Sequence, residues 1–221
     1  MKYTYRERLM WHIIAPASLH SLGEQGWDVS ELKKKAKTIY RQMVARTPGI
    51  GGLTGNSLHI CLVAGMIWLS IYEAAEGRMS EECFGGMVEA GMESPMVKAS
   101  FTGKAKTAFT LAAQQKRAAN AVRDNAASGG PFNWQAEIIL GRDADEYTIL
   151  YRQCGLCALG QQEGLPQLVS YLCAMDTLSI EWMGGKLYRT KTLAAGGNCC
   201  DLYICKKDSK WDAEHKGESL C

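Results

Sequence analysis

The hydrophobic period changes once along this chain. The change falls at residues 125–131, Asn-Ala-Ala-Ser-Gly-Gly-Pro, a run of turn-forming residues. Before it, apolar residues recur with helical spacing. After it, they alternate with polar ones, as in half-buried strands. Helices first and hairpin-linked strands afterwards exclude an alternating βαβ order. They predict an antiparallel sheet covered by helices, an α+β fold.

Residues 3–15 carry an apolar and aromatic pattern that Pro16 should end. A second helix begins near Asp28 or Ser30, either of which can cap it. It presents Leu32, Ala36, Ile39, Tyr40, Met43 and Val44 on one face, and Pro48-Gly49 stop it. Gly51 to Gly55 reads as a loop, with Asn56 or Ser57 capping the next helix. Ile60 to Leu69 is ten apolar residues long, half of the roughly 20 a membrane span needs. It predicts a helix buried at the centre of the fold and reaching about Glu76. Ser80 caps a short helix holding Cys83 and Phe84, and residues 96–123 make one long helix or two.

The second half predicts strands over 134–140 and 146–152, a helix from Pro166 to about Met183, and strands over 186–193 and 199–206. The expected architecture is N-terminal helices packed on a C-terminal four-stranded antiparallel sheet with a β-β-α-β-β order. One α+β domain should span 1–221, with a helical part over 1–124 and a cysteine-rich, sheet-containing part over 132–208. The polar tail, 209–221, should fray.

A chain of 221 residues is long enough for one sizeable core. Lys and Arg number 25 against 23 Asp and Glu, so the chain lacks the basic excess of a general nucleic-acid binder. Lys33-Lys34-Lys35 and Lys37 read as a solvated helix face. The first residues show no signal-peptide pattern, and no run is long enough to span a bilayer. The expectation is a cytoplasmic protein with no nucleic-acid or membrane partner. Nine cysteines, an odd number, make a disulfide framework a poor reading. Seven of them lie in the last 68 residues, where even scatter would put about three.

Three stretches carry candidate chemistry. Cys154-Gly155-Leu156-Cys157 suits a zinc half-site, a redox pair or plain packing. A ribbon would need a second such motif, and a redox pair would sit at a helix start after a strand. Cys173 and Asp176 share a helix face. A carboxylate beside a thiol raises its pKa, so this pair needs a cation between them or a proton-handling role for Asp176. Arg189 and Lys191 share one strand face, where an arginine holds either a carboxylate ligand or a surface partner. Cys200 points to the apolar side of its strand. His59 is either a general base or a satisfied core histidine. The nucleophile-elbow, zinc-protease, phosphate-loop and dinucleotide motifs are absent.

These residues together resemble the L-2-amino-thiazoline-4-carboxylic acid hydrolase family. The resemblance rests on Cys157, on Leu172-Cys173 with Asp176, on Arg189-Thr190-Lys191-Thr192-Leu193-Ala194 with Gly196-Gly197, and on Cys200-Asp201-Leu202-Tyr203. Gly55-Asn56-Ser57 and Tyr72 fit it as well. Leu202-Tyr203 departs from the expected Phe-Arg, which leaves Arg189 as the main carboxylate clamp.

The resemblance implies hydrolysis of a cyclic C–N unit in a small carboxylate substrate, opening a thiazoline to N-carbamoyl-cysteine. Arg189 and Thr190 would bind the carboxylate. Cys173 or Cys200 would act as nucleophile or ligand, and Asp176 would transfer the proton. No cofactor is required. In a zinc variant the ligands would be Cys157, Cys173, Asp176 and Cys200. The alternative is a non-catalytic sensor domain of the four-vinyl-reductase type with structural zinc. A thiol redox protein, with a reversible Cys154–Cys157 disulfide, is the third reading. The N-terminal helices would either lid the site or pair with a second copy in a homo-oligomer.

Overall fold

The computed structural model describes residues 1–215. Helices α1 (Tyr5–Glu24), α2 (Val29–Arg46), α3 (Gly52–Gly55), α4 (His59–Ala74), α5 (Glu81–Met92), α6 (Pro95–Thr102) and α7 (Leu111–Asn125) precede the sheet. Strands β1 (Gln135–Leu140) and β2 (Glu146–Gln153) follow, then α8 (Gly155–Gln162), α9 (Val169–Trp182), β3 (Gly185–Tyr188), β4 (Cys200–Lys206) and α10 (Lys210–Glu214). The sheet is antiparallel with strand order β1-β2-β4-β3, so the fold is α+β. Among the described residues no helix is long and apolar enough to cross a membrane.

The apolar all-round helix is α4, and Leu62, Val63, Met66, Ile67, Trp68, Leu69 and Ile71 are all buried in it. The core around it draws on both halves of the chain, from Trp11 and Tyr40 to Trp134, Leu159 and Leu172. A smaller core lies on one sheet face. There the register sets Tyr147 opposite Ile204, Ile149 opposite Leu202 and Tyr151 opposite Cys200. Tyr151 packs against both cores, so its end of the sheet is the seam between them.

Five expectations change, the first being that residues 52–55, expected as loop, form the four-residue helix α3. Helix α1 does not stop at Pro16 but runs through it to Glu24. Pro16 and His12, whose carbonyl loses its partner, are both exposed, so the gap in the hydrogen-bond ladder falls on the solvent side of α1. Buried Trp11, Ile14, Ser18, Leu19 and Leu22 on either side hold the helix in place. The third strand ends at Tyr188 rather than 193, because the Asp201 carboxylate accepts hydrogen bonds from the Thr190 and Lys191 N–H groups. A helix, α8, was missed. The tail begins with a short helix capped by Ser209, and its residues 216–221 lie outside the described residues.

Residues 125–131 form a pinned corner rather than a loose linker. Asn125 bonds both the N–H and the carbonyl of Ala136, as a neighbouring strand would. Buried Asn133 donates to the carbonyls of Asp124 and Ala127 and accepts from the buried Asn56 amide at 2.8 Å. Ser57 donates its N–H to Asp124 at 3.0 Å. The Asn56-Ser57 pair thus joins the start of α4 to the corner that launches the sheet. Asn133→Ala would strand the Asn56 amide and two carbonyls. It is expected to cost about 2 kcal/mol and to lower the melting temperature in a single transition, followed by circular dichroism. Two separate transitions would show that the halves fold independently.

Candidate functional site

The loop after β3 places Arg189 against α9. Its Nη1 donates to the Cys173 carbonyl at 3.2 Å and lies 3.7 Å from the Asp176 carboxylate. The Arg189 side chain is only 8% exposed, and its buried Nε–H has no hydrogen-bond partner. A buried, unpaired N–H of this kind is costly and calls for an acceptor. Asp176 keeps 48% of its side-chain surface, yet burial pushes its carboxyl up to about 6 against the opposing charge of Arg189. Water reaches this carboxylate on one side, and Arg189 faces it on another. Cys173 and residues 175–179 are likewise half-buried, so α9 keeps accessible surface around most of its circumference.

Thiols ring this pair. Burial, reinforced by the Asp176 charge, pushes Cys173 up to about 12. Burial also pushes Cys200 up, and its sulfur accepts the Leu193 N–H at 3.2 Å. Both are neutral thiols near neutral pH, a weak state for the nucleophile role assigned to them. Cys61 of α4 and Tyr151 of β2 feel the same Asp176 charge, and burial lifts both. Cys61 left no sequence signal, because it sits on a helix apolar all round. Tyr151 was legible in the alternation of β2, which sets it opposite Cys200.

Cys154 behaves differently. It follows β2 directly and is the N-cap of α8 in extended conformation. The nearby Cys157 thiol favours the anionic form at this pair, against burial. The Cys154 sulfur accepts no capping hydrogen bond from the first turn of α8. Cys157 is raised in turn by the same partner and by burial.

Thr190 does not join the site. It is exposed, and its hydroxyl and N–H are both held by Asp201, at 2.5 and 3.0 Å. Nor is the four-ligand zinc set assembled. Cys157, Cys173, Asp176 and Cys200 share one region, but among the described residues no three His, Cys, Asp or Glu side chains converge tightly enough to hold a metal ion. Arg189 takes the place beside Asp176 that a cation would fill.

His59 lies elsewhere. Its Nε2 is 3.4 Å from Glu7, and both side chains are buried. The pair lines a recess of about 570 Å³ with Thr4, Arg6, Gly49 and Gly52. This recess and the thiol cluster around Asp176 are therefore in different places. Glu7 already accepts from the N–H and hydroxyl of Thr4, while His59 Nδ1 in the recess and Arg189 Nε in the thiol cluster are each buried without a partner.

Helices and sheet together define an α+β protein with an arginine–carboxylate pair set among thiols at the seam of two cores. A family model described as L-2-amino-thiazoline-4-carboxylic acid hydrolase matches residues 62–204. The chain belongs to that family. No curated protein and no solved structure matches it at a significant level. Cys154, Cys157, Cys173, Asp176, Arg189 and Cys200 all fall inside the matched stretch, while every residue of the His59 recess precedes it.

Proposed function

We propose that the protein hydrolyses a small cyclic amidine that carries a carboxylate, opening 2-amino-thiazoline-4-carboxylate to N-carbamoyl-cysteine. The observation that carries this reading is Arg189, nearly buried, with an Nε–H that lacks an acceptor and an Nη1 set beside Asp176. A substrate carboxylate supplies the missing oxygen, and a guanidinium can hold it through two parallel hydrogen bonds. Forming N-carbamoyl-cysteine requires the ring sulfur to leave. The bond that breaks is therefore ring C–S, with water adding at the carbon shared by sulfur and both nitrogens.

Asp176 is suited to deliver the proton that the departing sulfur needs. A carboxyl raised to about 6 holds a proton at a pH where an ordinary aspartate has lost it. Because the acid form is the active one, kcat should fall as pH rises through about 6. That limb should vanish in Asp176→Asn, with a loss of roughly 100-fold or more in rate. A pH–rate profile of both proteins checks it, and a wild-type kcat that instead rises through this range would give Asp176 the role of base.

The sensor alternative depended on zinc for stability, and the described residues do not bring a ligand set together for it. The direct test is release of N-carbamoyl-cysteine from the thiazoline by purified protein. No turnover removes the hydrolase reading. Stoichiometric zinc with several unreactive thiols would restore the sensor.

A further inference from the structure

We infer that the recess beside His59 is a second ligand site, separate from the thiol cluster, and that it takes a small monoanionic carboxylate carrying an N–H donor, the chemistry of an N-acylated amino acid. The inference goes beyond the hydrolase reading and does not depend on it. Every residue lining this recess precedes the matched stretch 62–204.

The sequence fixes both polar partners of the recess in place. Glu7 is the third residue of α1, held there by a capping box with Thr4. The Tyr40 hydroxyl donates to the Glu7 carbonyl at 2.9 Å and ties this turn to α2. Buried Asn56 sets the start of α4. Its side chain accepts the Leu58 N–H at 2.9 Å, and its carbonyl accepts the His59 N–H at 3.3 Å. The His59 ring therefore meets Glu7 between two anchored helices, with Nε2 3.4 Å from Oε1 and each side chain only 6% exposed. The recess they line, about 570 Å³, falls within the usual size of a small-molecule site, about 300–1,000 Å³.

Two features define what the recess accepts. The first is His59 Nδ1, which is buried with no hydrogen-bond partner. Glu7 Oε2 accepts the Thr4 N–H at 2.8 Å and the Thr4 hydroxyl, and Oε1 is turned to the ring. A carboxylate only accepts, so the ring proton belongs on Nε2 and Nδ1 is left as a bare acceptor. Burial lowers the His59 pKa against the pull of Glu7, which keeps the ring neutral near pH 7. A buried acceptor without a donor is costly, and an N–H completes it.

The second feature is charge. Lys2 and Arg6 line the recess, both are exposed, and neither forms an ion pair among the described residues. With Glu7 they leave the lining side chains one positive charge in excess. One carboxylate balances that charge, whereas a zwitterion does not. The Arg6 guanidinium can hold it through two parallel hydrogen bonds. Met1, Tyr5 and the stems of the two cations supply apolar wall. Carboxylate, N–H and apolar side chain are the three parts of an N-acylated amino acid.

The test titrates purified protein with N-acetyl-leucine by calorimetry. N-acetyl-leucinamide keeps the donor and loses the charge, and 4-methylpentanoate keeps the charge and loses the donor. Each is expected to bind roughly 10-fold more weakly than N-acetyl-leucine, the effect of one such hydrogen bond. Lys2→Gln with Arg6→Gln, two exposed changes that should leave the melting temperature unchanged, is expected to weaken N-acetyl-leucine by roughly 10-fold or more and N-acetyl-leucinamide hardly at all. His59→Ala should make N-acetyl-leucine and 4-methylpentanoate bind alike, which a loosened fold alone would not do. Arg189→Gln alters the thiol cluster and should bind N-acetyl-leucine as wild type does. Equal binding of the three probes, full binding by the double variant, loss of binding in Arg189→Gln, or no saturable binding up to about 10 mM overturns the inference. A failed thiazoline assay removes the hydrolase reading and leaves this site standing.

Discussion

Replacing Arg189 by glutamine is expected to lower kcat/KM for the thiazoline roughly 100-fold, chiefly by raising KM. Each hydrogen bond to a charged group is worth about 1.5–3 kcal/mol, and the clamp would lose two of them. A carboxylate held equally in ground and transition states contributes binding rather than barrier lowering, so kcat should move little. Arg189→Lys keeps the charge as a compact point and cannot form two parallel bonds. It should recover no more than a tenth of the loss. The substitution also releases the Cys173 carbonyl from its 3.2 Å bond, so thermal melting must accompany the kinetics. A well-folded Arg189→Gln with unchanged KM would remove the clamp.

The second large effect is expected at Gly155, the first residue of α8. A methyl group there would sit 2.1 Å from the Phe132 carbonyl oxygen and 2.7 Å from the Trp134 ring. The nearer atom is backbone, in the turn that the Asn56–Asn133 bond holds in place, so it cannot swing aside. Gly155→Ala must therefore lift the start of α8 off the corner below it. We expect a cost of about 4 kcal/mol, at the upper end of overpacking, and a melting temperature lower by roughly 8–16 °C. Gly86 of α5, which has nothing within 4 Å of an added methyl group, is the control and should tolerate alanine. Equal stabilities of the two variants would disprove the packing argument.

Much of the fold was readable because it depends on local pattern. The period change at residues 125–131, the caps at Asp28 and Ser80, and the alternation in β2 and β4 follow from nearest-neighbour geometry. The misreadings occurred where distant residues override local preference. Pro16 stays helical because buried neighbours on both sides fix the helix. The strand after Gly185 stops early because Asp201, on another strand, takes over its N–H groups. The tail helix exists because Ser209 caps it and Trp211 is buried.

The site divides the same way. Helical spacing alone set Cys173 and Asp176 on one face, and strand alternation alone turned Cys200 toward the apolar side. Spacing did not show that Arg189 would fold back onto α9 rather than face solvent, nor that Thr190 would be held by Asp201. Nor did it distinguish among the thiols. A cysteine's chemistry depends on burial, on nearby charge and on whether it caps a helix, and α8 was not recognised as one.

From its residues alone this chain determined its α+β class, the order of its strands and the half in which the thiols gather, because these depend on periodicities a few residues long. Only the tertiary structure decided that cysteines from several elements gather near one aspartate, and that a buried arginine faces that aspartate with a donor to spare. Those arrangements arise from the packing that distant segments impose on one another, which no run of neighbouring residues encodes.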